Sequence, residues 1–197
     1  MVILSHYTTK STRFAICAMY TQQQNAYQFT YRRETQHMIN DSIYTFILIG
    51  IGGTIVLDIY AGLLAKFFDL PATNWRLVGR WVGHMKSGQF YQPAIPKAEK
   101  ISGELGIGWV VHYLIGIAYG LILMVCVNTQ WLDFPTILPT LLVAWFGIVA
   151  PFFIMMPGMG AGMAGAKTPN PTVTRIKSFA GHTVFGLGMF LTALVLA

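Results

Sequence analysis

The chain has 197 residues, 54% of them hydrophobic and only 10% charged, with a mean hydropathy of +0.55. A water-soluble domain carries about a quarter charged residues, so this composition excludes a globular enzyme with a wetted surface and points to a polytopic membrane protein. The net charge of +6 would suggest nucleic acid in a soluble protein, but here the basic residues lie between apolar runs, the pattern of membrane topology.

Residues 1–37 differ from the rest: rich in Thr, Gln and Tyr, with Lys10, Arg13, Arg32 and Arg33 against Glu34, and without a sustained apolar run. They read as a disordered tail or as an upstream extension ahead of a start at Met38. Residues 38–197 read as one transmembrane domain. Asn40, Asp41 and Ser42 are cap-type residues before a first span at about 43–67, IYTFILIGIGGTIVLDIYAGLLAKF. About 20 apolar residues suffice to cross a bilayer. Asp58 lies well inside this run, and an acid there is costly and by default a functional-site hypothesis.

Between Asp69 and Ser102 lies the longest polar segment. At 100° per residue, Trp75, Leu77, Val78, Trp81, Val82 and Met85 share one arc and Arg76, Arg80, His84 and Lys86 the other, the pattern of a short amphipathic helix. Indoles on one side and guanidinium groups on the other suit a helix lying among anionic lipid headgroups, with Trp75, Arg76, Arg80, Trp81 and His84 as the headgroup-binding set. YQPAIPKAEK, with Pro93 and Pro96, reads as an irregular linker.

A second span is expected at about 105–127, with Glu104 complementing its helix dipole and His112 inside it. Trp131 and Phe134 in the following tight loop fit an aromatic belt. The third span, at about 136–156, contains Pro151, which removes a backbone hydrogen bond and predicts a kink. After the Gly- and Pro-rich loop PGMGAGMAGAKTPNP, Asn170 and Pro171 look like the cap and first residue of a helix whose spanning part covers about 174–197 and carries His182. Cys17 and Cys126 form no disulfide framework or metal motif.

The first long loop, counted with Lys66, holds six basic residues (Lys66, Arg76, Arg80, Lys86, Lys97, Lys100), the loop from Gly158 to Lys177 holds three, and the loop between spans two and three holds none. The positive-inside rule makes both basic loops cytoplasmic and, with four spans, both termini periplasmic.

The deep ionisable residues lie on stripes of small residues. Gly50, Thr54, Asp58, Ala61 and Ala65 share one face of the first span; Gly108, His112, Gly116 and Gly120 one face of the second; Ser178, His182, Gly186 and Ala193 one face of the fourth. Small residues let helices approach closely in lipid, so each ionisable group is expected to face a neighbouring helix. Counted from Lys66, Glu104 and Lys177, Asp58, His112 and His182 lie about 12, 12 and 7 Å from the cytoplasmic boundary, a depth at which they can meet.

Asp58, His112 and His182 are therefore the candidate buried polar cluster. It reads as hydrogen-bonded glue between helices or as a path for protons or a small solute. A two-His, one-carboxylate metal site uses these ligand types, but no motif such as HExxH supports it, and flexible apolar filling suits Met155, Met156, Met159 and Met163 better than copper. No metal or cofactor is expected. GIGG at Gly50–Gly53 lacks the context of a nucleotide fingerprint, and no catalytic motif appears.

From about Gly52 onward the chain resembles a family of small bacterial membrane proteins catalogued as domain of unknown function 2938. The stretches that carry the resemblance are GTIVLDIYAGLL, LPATNWRLVGRWVGHMKSGQF, GELGIGWVVHYLIGIAY, PTILPTLL, APFFIMMPGMGAGMAGAKTPNP and HTVFGLGMFLTAL, in this order. Met156 stands where the family pattern has glutamine before the proline. The resemblance implies a four-span inner-membrane protein and supplies no activity. The expectation is an all-α bundle of four transmembrane helices plus a short interfacial helix, passing or sensing a small solute or proton. The alternatives are a non-catalytic accessory or assembly subunit, with a membrane-protein partner or as a homo-oligomer, and a membrane enzyme acting on lipid headgroups through Arg76, Arg80 and His84.

Overall fold

A backbone in lipid has no water to bond to and must satisfy its own polar groups, and helix is the regular state adopted throughout the described part of this chain. The computed structural model describes residues 3–197, with side chains before Met38 described only in part. Its α-helices are α1 (Ile3–Phe68), α2 (Trp75–Met85), α3 (Glu104–Cys126), α4 (Ile137–Gly158) and α5 (Pro171–Leu196). Among the described residues, four stretches are long and apolar enough to cross a membrane: Gln22–Phe68, Glu104–Cys126, Ile137–Gly158 and Pro171–Leu196.

The chain divides into two units, Met1–Ser42 and Ile43–Ala197. In the first, the described backbone is helical from Ile3, where the sequence suggests an irregular tail and caps. Ser42 is not a cap: its Oγ donates to the Met38 carbonyl at 2.9 Å, the back-bonding that lets a serine sit inside a helix. The Cys17 side chain lies outside the described residues. Cys126, in the second unit, is an exposed free thiol.

The second unit is a bundle whose helices touch at glycines. A methyl group built on Gly50 of α1 would collide with the Gly116 carbonyl of α3, and one on Gly120 with the Phe46 carbonyl. Gly188 of α5 holds its place beside Gly53 and Val56 of α1, with their nearest atoms 2.7–3.1 Å from where a methyl would stand. Gly147 of α4 leaves room for the Tyr119 ring. At this end Phe46, Ile49, Tyr119, Leu123, Val143, Ala144, Phe185 and Met189 form a buried core. The outward faces are apolar as well: Val125 and Val195 are 87% and 84% exposed. Such a surface suits a solvent of acyl chains.

α4 is α-helical over Ile137–Gly147 and then widens to a π-helical turn over Pro151–Met155, in which the Met156 N–H reaches the Pro151 carbonyl. Pro151 has no N–H to give, and the ladder passes it by one wider turn. Asn170 caps α5, its side chain accepting from the Val173 N–H at 3.2 Å, with Pro171 as first helical residue.

If backbone contact at glycines holds the bundle, Gly116→Ala should cost about 1–3 kcal/mol of stability, because Thr54 and the Gly50 carbonyl must give way. Gly62→Ala, where a methyl meets nothing within 4 Å, should gain about 0.5–1 kcal/mol from the better helix former. Thermal unfolding in mild detergent followed by circular dichroism compares the two; equal midpoints would show that α1 and α3 do not depend on this contact.

Candidate functional site

The glycine contacts between α1 and α3 run in steps of four, Phe46 with Gly120 and Gly50 with Gly116, and farther along the same pair of helices stand Asp58 and His112. Asp58 Oδ1 lies 2.8 Å from His112 Nε2, and the Tyr113 hydroxyl donates to Asp58 Oδ2 at 3.1 Å. An ionised carboxylate only accepts, so His112 Nε2 is the donor and the neutral ring keeps its lone pair on Nδ1. Trp75 of α2 stacks on the His112 ring, centroids 3.8 Å apart, and Trp109 packs against it at 5.7 Å. His112 is buried, and Asp58 is partly so.

His182 on α5 is oriented differently: its Nδ1 lies 2.8 Å from the Ser178 carbonyl one turn earlier. A carbonyl accepts, so Nδ1 donates and Nε2 keeps the lone pair. Neither His112 Nδ1 nor His182 Nε2 is sealed away without a partner, since no buried side-chain nitrogen or oxygen among the described residues lacks one. Both rings border one cavity of about 650 Å³, walled by all five helices and adjoining the buried core at Tyr119 and Phe185. Its wall is mostly apolar, with Leu57, Ile115, Ile154 and Met155 among the residues lining it, and Lys177 and Ser178 also border it. Among the described residues no carboxylate lines it.

Asp58 and His112 are thus directly bonded, and His182 shares a cavity wall with His112. The three do not form a metal cluster: among the described residues no group of three His, Cys, Asp or Glu is placed to hold an ion. The carboxylate is taken up by His112 and Tyr113, while His182 turns its Nδ1 to its own helix.

The set expected to bind headgroups is placed otherwise. Arg80 is corrected outright: it is buried, with Nε and Nη2 donating to Glu104 at 2.8 and 3.0 Å and Nη1 to the carbonyls of Ile95, Pro96 and Ala98 at 3.2–3.4 Å. The Glu104 carboxylate raises the Arg80 pKa above its already high ordinary value, so the guanidinium stays charged. The cause is Gly79, where a methyl would meet the Glu104 carbonyl and the Gly108 N–H. With no side chain between them, α2 lies directly on the start of α3 and carries Arg80 inside. Trp81 is buried too, its Nε1 donating to the Phe90 carbonyl at 2.9 Å, and Trp75 faces His112. His84 Nε2 lies 3.0 Å from the Glu99 carbonyl. Arg76 stays exposed, its Nη1 3.7 Å from Glu104.

Sequence reasoning missed the Arg80–Glu104 pair, the Trp75–His112 stack and Lys177 as a wall residue. An acid at the start of a span and an arginine beside a helix glycine are the signals that pointed to the pair.

Bundle and site define an all-α protein with helices able to span a membrane and a cavity bordered by two histidines. The model of the family described as "Protein of unknown function (DUF2938)" matches residues 47–196. The chain belongs to that family. No curated protein and no solved structure matches it.

Breaking the buried pair from one side leaves an uncompensated charge. Arg80→Met should therefore lower the melting midpoint in detergent by on the order of 10 °C, and Arg80→Met with Glu104→Leu should recover part of the loss. A single variant that melts with the parent chain would show the pair to be dispensable.

Proposed function

We propose that this is a multi-pass protein of the bacterial inner membrane that holds a small, largely apolar solute in its bundle cavity, for passage or sensing. Both basic loops face the cytoplasm in this reading, and both termini the periplasm. The observation that carries it is that His112 and His182 border the same cavity. Sites for small molecules are concave, mostly apolar, about 300–1,000 Å³, and hold a few placed polar groups. A cluster serving only as glue between helices would not call for a hollow half.

The packed end bears on mechanism. Phe46, Ile49, Leu123 and Met189 are completely buried, so no open pore continues past the cavity at that end. A solute is held on one side, and its passage requires the packed half to rearrange. Asp58 keeps His112 oriented and stabilises a positive charge on that ring, which couples the site to a proton. The headgroup-enzyme reading loses its strongest residue, because Arg80 is fully engaged by Glu104 and three carbonyls.

The test uses the whole chain in nanodiscs of zwitterionic lipid and a small alkyl diazirine as photolabel. Labelling of Leu57, Ile115 and Ile154 should saturate with dose, while labelling of outward-facing Val125 rises linearly with the dye in lipid. Gly181→Leu, at a wall position where a methyl meets only Leu57 at 3.5 Å, should fill the space and abolish the saturable part. Linear labelling at every position would overturn the proposal.

A further inference from the structure

The charged and titratable groups of the described cavity wall include two histidines and a lysine but no carboxylate, and this bears on which solute fits. His112 and His182 each present a ring nitrogen that their own partners, the Asp58 carboxylate and the Ser178 carbonyl, leave free as a lone pair. Lys177 Nζ donates to the Pro71 carbonyl at 2.7 Å and has two N–H groups left. Of the wall hydroxyls, Thr54 donates to the Gly50 carbonyl in its own helix and Thr174 to the carbonyl of Asn170, the cap of α5. Besides the hydroxyls of Tyr60, Thr73, Tyr119 and Ser178, which can donate or accept, the described wall therefore offers two ring lone pairs and one cation, with no carboxylate.

We propose that the solute is an organic acid with an apolar body, held through its acidic group by His112, His182 and Lys177. The inference rests on the cavity being a solute site. An acidic O–H donates to a neutral imidazole; its oxyanion accepts from a protonated imidazole and from Lys177. The wall thus matches the acid in both of its protonation states. Asp58 stands behind His112 and balances the positive charge of that ring when it is protonated. Esters and ketones bring only acceptors and leave the lone pairs of neutral rings unmatched, a mismatch that buried polar groups penalise. An amine brings a cation to a wall that already has Lys177 and no acid to pair with it. The apolar body is accounted for by Leu57, Ile115, Ile154 and Met155.

Displacement of the saturable photolabel in the same nanodiscs tests this with three probes of equal length: decanoic acid, methyl decanoate and decylamine. The acid should displace the label at concentrations about tenfold lower than the ester or the amine. His182→Phe, which keeps a ring and removes the acceptor, should erase most of that preference; if that variant does not fold, Lys177→Met is measured in its place and should weaken the acid while sparing the ester. Equal displacement by acid and ester, a preference for the amine, or a preference unchanged in the variant would overturn the acid assignment and leave the cavity as a solute site. Label that does not saturate in the parent chain would remove the solute site itself.

Discussion

The structure depends on backbone touching backbone between α1 and α3. In lipid no hydrophobic force draws two helices together, because acyl chains are as apolar as leucine; close packing and weak polar contacts must do it. Gly50, Gly116 and Gly120 supply the closeness, each occupying a place where a methyl would strike the other helix's main chain or Thr54. The same four-residue steps carry on to Asp58 and His112, whose bond needs helices this near. Their meeting is a consequence of the glycine seam, and the position of the histidine in the cavity wall follows from it.

Small residues have opposite effects at the two ends of the bundle. Toward the core end, Gly53 and Gly188 face each other at one level, and α1 and α5 close. Toward the other end, Ala61, Ala150 and Gly181 all border the cavity, and a methyl on Gly181 would meet only Leu57. A small side chain closes two helices when a backbone or a side chain of the facing helix fills the place beside it, as Tyr119 does at Gly147; otherwise it leaves a void. In water-soluble cores such a void costs stability. Lined with two histidines and a lysine, this one is the space the proposed solute would occupy.

The legible parts of the molecule are those written in one helix at a time. Apolar length marks the four membrane-competent helices, and Pro151 marks the irregular turn of α4, though its form, a π-turn that keeps the helix going to Gly158, depends on pairing that a single proline does not specify. Spacing puts Asp58, His112 and His182 on small-residue faces. What spacing lacks is the partner: His182 turns Nδ1 to Ser178 in its own helix, and no periodicity distinguishes that from a bond across the bundle. Arg80 shows the same limit more sharply. A helical wheel treats α2 as a cylinder between apolar and wet media and assigns the guanidinium to water. Glu104 is 24 residues away in sequence, and the three carbonyls that complete its shell come from the linker, where side-chain pattern is silent about main-chain direction.

That misplaced arginine matters for the site because of what α2 does. A buried ion pair is a weak source of net stability, since desolvation offsets most of its attraction, and the Arg80–Glu104 pair is better explained by position than by strength. Its bidentate geometry admits one placement of α2 on α3, with Gly79 against Glu104 and Gly108 against the Trp75 carbonyl. In that placement Trp75 lies over His112, and Val78 and Trp81 complete the cavity wall. A helix free to float among headgroups would leave the cavity open on that side and the His112 ring without its stacking partner. The buried charges thus act through the helix they hold, and the lid of the cavity is fastened by a pair that never touches the space it covers.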